Sequence, residues 1–358
     1  MKTITQSRLL LLTLLFAASI KVNAQDNIEQ IFRAGVGDAN TYLKNYAEEA
    51  ILSFNSGLGS GWYNTAKPHK TLGFDLTASI SVATIPKSDL LFQFNPNDYA
   101  NLELQGGGSS ATLPTAFGGD ANQTSLVIPA NTVIENPLNG EQVTYSTEIN
   151  FPAPDGLIDG EDFPIIGAPV PAIQLGIGLV KNTELKLRYV QDFGLIDDGS
   201  LSIIGVGVLH DIKQWIPGIK QLPFDISGFI GYTSLSADYQ IDDILDSDFT
   251  FVDGDVEFQV RSTTFQAVAS KKISILTPYL GIGYNIAGST FKVKGQVSYQ
   301  DGINRIELVD PIDLEFDNGS TARINAGFRI KLAILTLHAE YAIQKYNTLT
   351  AGVGISVR

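Results

Sequence analysis

The stretch "TLGFDLTASISV", residues 71–82, decides the fold. Leu72, Phe74, Leu76, Ala78, Ile80 and Val82 fall on one side, and Thr71, Gly73, Asp75, Thr77, Ser79 and Ser81 on the other. A period of two marks a β-strand with one dry and one wet face. A soluble sheet hides its dry face against protein and typically needs only about 5–6 residues per strand. A strand crossing a bilayer needs roughly 9–11, and its dry face touches lipid. On the lipid reading, charge placed at Leu76 or Ala78 blocks membrane assembly, whereas charge at Thr77 or Ser79 is tolerated.

The pattern recurs. "AIQLGIGLV" sets Ile173, Leu175, Ile177 and Leu179 against Gln174, Gly176 and Gly178, and "ELKLRYV" sets Leu185, Leu187 and Tyr189 against Glu184, Lys186 and Arg188. "GVGVLH", "FDISGFIGYT", "PYLGIGYNI", "ARINAGFRIKL", "LTLHAEYAI" and the closing "TLTAGVGISV" continue it, and "QVRSTTFQAVA" does so poorly. The polar faces carry Arg, Lys, Glu and Gly, so no second sheet packs there. Ten strands are visible between 71 and 358, and a further pair near 91–95 and 141–150 is compatible with the stretch 84–171. The expected fold is all-β, a transmembrane antiparallel barrel of 10–14 strands.

Connection lengths give an independent test, because outer-membrane barrels have short periplasmic turns and longer outer loops. Counted from the C-terminus, the connections at 332–334, 270–272, 211–223 and 181–183 share the periplasmic side, and none is long. The long ones, 84–171, 235–257 and 287–320, all fall outside.

The chain opens "MKTITQSRLLLLTLLFAASIKVNAQ", with Lys2 and Arg8 before an apolar run and Val22-Asn23-Ala24 as a small-x-small site, the pattern of a secretory signal peptide over 1–24. There is no cysteine, hence no disulfide framework. The formal charge of −14 becomes −17 without Lys2, Arg8 and Lys21, which argues against a nucleic-acid partner. "VGDANTYLKNYAEEAILSF" has helical spacing, and the Gly-rich "NSGLGSGWYNTAKPHK" follows it. Residues 25–66 are expected to fold back into the lumen of the barrel, 67–358, as a plug presenting Trp62, Tyr63 and Asn64, the alternative being a periplasmic extension.

The inward register collects Asp75, Lys186, Arg188, Arg323, Arg329, Lys331, His338 and Glu340, charges that line a solute path or pair with the plug. The three histidines, at 69, 210 and 338, come with no nominated nucleophile, so no catalytic site and no enzyme is expected. "DGLIDGED" offers Asp155, Asp159, Glu161 and Asp162 as weak calcium ligands without EF-hand spacing. A solvated acidic outer surface explains them more simply. No cofactor is expected.

"GLGSGWYNTAKPHKTLGFDLT", "PVPAIQLGIGLVKNTELKLRYV" and "LHDIKQWIPGIKQLPFDISGFIGYT" resemble an uncharacterised family of Gram-negative outer-membrane proteins, over most of the mature chain. More distantly, the helical start followed by "WYNTA" is similar to the FadL-type channels for hydrophobic compounds, which carry a lumenal hatch with an Asn-Pro-Ala motif. Here Asn64-Thr65-Ala66 stands in that place, and the chain ends in Val357-Arg358 rather than an aromatic residue. The resemblance implies a monomeric plugged barrel in the outer membrane, inserted by the barrel assembly machinery and surrounded by outer-membrane lipid. It also implies passive uptake of small molecules, hydrophobic ones included. The alternative is a non-transporting surface barrel whose acidic outer loops bind a partner or calcium.

Overall fold

The computed structural model describes residues 30–121, 123–135, 142–156, 167–191, 199–245, 249–301 and 304–357. The signal sequence expected at 1–24 lies outside them. One long helix, α1 (Val36–Leu58), precedes the strands. Ten strands close a ring: β1 (Phe74–Thr84), β7 (Gly167–Leu179), β8 (Thr183–Gln191), β9 (Gly199–Asp211), β10 (Asp225–Ile241), β12 (Phe249–Ser270), β13 (Leu276–Asp301), β15 (Ile312–Leu332), β16 (Leu335–Ile343) and β17 (Thr348–Val357). β1 closes it, pairing with β17 from Phe74↔Val357 to Ala83↔Thr348 and with β7 from Phe74↔Ile177 to Thr84↔Gly167, both antiparallel.

The wall has its greasy side out. Leu76, Ile173, Val206, Ile282, Ile324 and Val353 are between 44% and 59% exposed, whereas Asp75, Thr77 and Ser81 of β1 are buried inside the ring. Such a continuous apolar exterior is not tolerated in water, and in a bilayer it meets hydrocarbon. No helix among the described residues is long and apolar enough to cross a membrane. The closed ring meets the other requirement of a spanning structure, because it leaves no unpaired strand edge. Thr77 is only 3% exposed, however, so a charge there lacks the water that the alternating sequence suggested.

The connections alternate between the two ends of the ring. Those after β7, β9, β12 and β15 (180–182, 212–224, 271–275 and 333–334) lie at the end where Val357 stops and β1 starts, the periplasmic end by the rule above. At the other end β10, β12, β13 and β15 run 17, 22, 26 and 21 residues, well past what a bilayer needs. Much of what reads as outer loop at 235–257 and 287–320 is thus continued strand, joined by the short β11 (Ile244–Leu245) and β14 (Asn304–Val309). Above the membrane the apolar residues turn inward, and Phe251, Val293, Val297, Leu314 and Phe316 pack into an outer core with Tyr42, Leu43, Tyr46 and Ile51 of α1. The acidic side chains face water there, which is why composition alone suggests a loop.

The stretch 84–171 contributes β2 (Leu91–Phe94) with β4 (Ala111–Pro114), and β3 (Glu103–Leu104) with β5 (Ser125–Glu135) and β6 (Gln142–Pro152). Strands near 91–95 and 141–150 therefore exist, but they pair with β4 and β5 in two separate small outer sheets and not in the wall. The ring stays at ten.

Candidate functional site

The site is the lumen and what fills it. An eight-stranded barrel has an interior just wide enough for its own side chains. Ten strands leave room for one more piece of chain, and residues 53–70 occupy it. This segment leaves α1 and becomes irregular, so its backbone groups need partners in a space with little water. The wall supplies them at every level. Near the outer mouth Ser53 Oγ donates to Ala83 O at 2.8 Å and accepts from Ala168 N at 3.0 Å. Asn285 Nδ2 donates to Asn55 O, and Gln344 Nε2 to Ser56 O. Deeper, the Arg188 guanidinium donates to Leu58 O at 3.0 Å and Ser60 O at 2.9 Å. Gln174 Nε2 donates to Trp62 O at 3.0 Å, and the Tyr63 hydroxyl lies 2.8 Å from Gln266 Oε1. Arg329 donates to Asn64 Oδ1 at 3.0 Å, Ala66 N to Ser270 Oγ at 2.9 Å, and His69 N to Glu184 Oε2 at 2.9 Å.

Trp62 is the largest anchor. Its ring lies against Gly205, Gly207 and Gly231, where an added Cβ would come within 3.0, 3.1 and 2.9 Å of the indole. On another side the Arg188 guanidinium carbon sits 3.8 Å from the ring centroid, a desolvated cation–π contact. Phe229 packs beside it, and Tyr63 and Tyr279 continue the aromatic row. The inward glycines of "GVGV" were the available sequence signal, since a glycine face on a barrel strand marks close approach of something bulky.

The inward charges form two groups. Arg323 pairs with Glu340 at 2.8 Å, Asn325 donates to the other Glu340 oxygen, and Arg323 also reaches Ser60 Oγ. Lower down, Glu184 receives Lys186 and His69 Nδ1, and His69 Nε2 meets Ser356 Oγ, which also accepts from Lys331. Asp75 Oδ1 lies 3.7 Å from His69 Nδ1. His69, Asp75 and Glu184 hold ligand atoms within 4.8 Å of one another, a spacing open to a divalent cation. The Lys186 ammonium on Glu184 already provides positive charge at that point. Arg329, Lys331 and His338 line the same lower sector. Sequence reading places the charged residues there, but not His69 or the amides Gln174, Gln266, Asn285 and Asn325, whose roles depend on the path of the plug.

The plug leaves several buried polar atoms of the wall unmatched, Thr233 Oγ1 on β10 and the Tyr279 hydroxyl on β13 among them, and they are densest in one sector. Asp75 Oδ1 on β1, Arg329 Nε on β15, and Thr336 Oγ1 and both ring nitrogens of His338 on β16 are buried without a hydrogen-bond partner among the described residues. Arg329 and His338 are register neighbours, and Thr336 meets Thr77 across Gly354. Buried polar atoms without protein partners are where ordered water is held in native proteins.

At the outer mouth, outside the membrane strands, burial raises the Glu49 carboxyl to about 7, with nearby Asp89 pushing the same way and Lys345 opposing. Of the calcium candidates, Asp155 is a staple: its carboxylate accepts from Ala121 N at 2.7 Å and its carbonyl from Tyr46 OH at 2.8 Å. Asp159, Glu161 and Asp162 lie outside the described residues.

These features define a class, the transmembrane β-barrel with a polar-seamed internal plug. Over residues 1–357 the sequence matches a family of unknown function, DUF6588, and the chain belongs to it. No curated protein matches. Among solved structures, the translocator domain of the autotransporter NalP from Neisseria meningitidis is 8% identical, covering 81% of this chain and 90% of its own, at a TM-score of 0.28. The transport unit of the autotransporter AIDA-I from Escherichia coli is 9% identical over 87% and 98%, at 0.27. The Pseudomonas putida toluene transporter TodX is 9% identical over 88% and 93%, at 0.17. Scores this low carry no argument, and the barrel assignment stands on the closed ring.

Proposed function

We propose that the protein is a passive channel of the Gram-negative outer membrane, closed by its own segment 53–70 and admitting small molecules when that segment shifts. The observation that supports this is that the plug leaves buried polar atoms of the wall unmatched, most densely in the sector of β1, β15 and β16, with Thr233 on β10 and Tyr279 on β13 as isolated cases elsewhere. The plug is seated tightly on β7 to β10 through Arg188, Gln174 and the glycine bed of Trp62. Toward β1, β15 and β16 it leaves Asp75, Thr336, His338 and Arg329 with unused polar capacity. A structural filler would be satisfied all round, because each orphaned buried group is destabilising. The free sector is the route for polar solutes, and the aromatic row of Trp62, Tyr63, Phe229 and Tyr279 is the surface an apolar solute would meet.

The test is efflux from proteoliposomes loaded with small polar and small aromatic solutes. Trp62→Ala combined with Arg188→Met is expected to raise efflux well above wild type, and adding His338→Trp to block it again. Efflux equal to that of protein-free vesicles in the folded double variant refutes the channel. That result would favour the second reading, a surface barrel, whose support is the ordered core above the mouth.

A further inference from the structure

The periplasmic rim is predominantly positive, its acids being Asp211 and Asp225 at the strand ends on either side of the β9–β10 turn. The connecting segments 67–73, 180–182, 212–224, 271–275 and 333–334 contain seven lysines and no Asp or Glu. The outer stretch 85–166 contains eleven acids and one lysine. Lys213 is engaged, since its ammonium donates to Leu222 O and Phe224 O and staples the longest of these turns. The side chains of Lys67, Lys70, Lys181, Lys220, Lys271 and Lys272 are exposed and have no hydrogen-bond or ion-pair partner among the described residues. Between them stand large apolar side chains: Leu72 is 78% exposed, Val180 66%, Trp215 64% and Ile334 58%. Water alone does not explain that combination. A purely solvated rim has no use for Leu72 and Val180, and a purely hydrocarbon level has none for free ammonium groups.

We infer that this rim is a binding surface for anionic phospholipids of the leaflet that faces the periplasm. Its apolar residues enter the acyl region, and the lysines extend their methylene stems along it to reach the phosphates. Trp215 lies at the interface, held by its Nε1 donating to His210 Nε2 at 2.8 Å. The acidic outer end repels the same headgroups, so the preference is confined to one side of the membrane.

Trp215 makes the inference measurable, because the chain's other tryptophan, Trp62, is sealed in the lumen at 2% exposure. The full chain is reconstituted in phosphatidylcholine containing either acyl-brominated phosphatidylglycerol or acyl-brominated phosphatidylcholine, and quenching of Trp215 gives the relative association of the two lipids. Phosphatidylglycerol is expected to be favoured by roughly fivefold for each lysine a headgroup engages. The preference should fall towards unity in high salt, as screening requires. Substituting Lys181, Lys220, Lys271 and Lys272 together by Gln should abolish it, while Lys87, Lys292 and Lys345→Gln at the outer end should leave it intact. Equal quenching by the two lipids in the wild-type chain overturns the inference, as does a preference that survives the four rim substitutions. If the rim variant does not assemble, the salt dependence of the wild-type chain decides: a preference unchanged by salt overturns the inference.

Discussion

Arg188→Met should release the plug without disturbing the ring. The side chain starts on β8, and its shortest contacts are on the plug: two carbonyls at 2.9–3.0 Å and the face of Trp62 at 3.8 Å, with longer bonds to Gln174 of the wall at 3.3–3.4 Å. Hydrogen bonds from a charged donor contribute about 1.5–3 kcal/mol each, and a desolvated cation–π contact about 2. Against this stands relief from burying a guanidinium whose acceptors are all neutral, so what remains is the cost of leaving buried carbonyls unpaired, about 1–3 kcal/mol net. On the docking equilibrium that is a shift of roughly fivefold to a hundredfold. The chain has no cysteine, so Ser56→Cys gives a single reporter at a site only 5% exposed. If opening and closing are fast, its labelling by a membrane-impermeant maleimide tracks the open population. The rate should rise by roughly fivefold to a hundredfold in the Arg188→Met background. Arg188→Lys should fall between, because it keeps the charge and loses the fork. An unchanged rate in a folded barrel would falsify the assignment of Arg188 as the latch.

Three other outcomes follow from the geometry. Leu76→Asp places a charge against hydrocarbon and should abolish heat-modifiable barrel in the membrane fraction, while Leu76→Ile leaves it; normal assembly of Leu76→Asp would mean the register is wrong. Glu49 carries its proton to higher pH in the folded chain than in the unfolded one, so its stabilising contribution is full below the ordinary carboxyl range and is lost as pH rises to about 7. The melting temperature should thus drop between pH 5 and pH 8, and Glu49→Gln should remove most of that drop. Gly37→Cys, in the exposed first turn of α1, should be labelled on intact cells, whereas Gln221→Cys in the β9–β10 turn should need a permeabilised outer membrane. Labelling of Gln221→Cys but not Gly37→Cys on intact cells would invert the sidedness.

The wall was legible because lipid and lumen impose opposite demands on alternate residues, and "TLGFDLTASISV" records both. The same rule failed above the membrane. There β12 and β13 keep an apolar face, but it turns inward to α1, and the acidic outer face mimics a loop. The lumen was half legible. Lys186, Arg188, Arg323 and Glu340 point inward as the period requires, yet Arg188 meets the Leu58 and Ser60 carbonyls and Arg323 the Ser60 hydroxyl, partners on a plug whose path the period does not give. The non-alternating sequence at 53–70 says only that the plug is irregular. Trp62 announced itself indirectly, through glycines on the strands that receive it.

The direction of α1 has a consequence for how the molecule is made. The plug runs from the outer mouth down to the periplasmic rim and passes without interruption into β1, the strand that seals the ring on both its edges. β1 meets β17 across more than two hundred residues of chain, the kind of distant pairing that loop-closure entropy delays. A half-formed sheet lacking β1 would be an open trough, wide enough to receive the Trp62 segment sideways. Once β1 has docked, the same segment is enclosed. On this order, sealing the wall and stoppering the bore would be one event, and the barrel would leave assembly already stoppered.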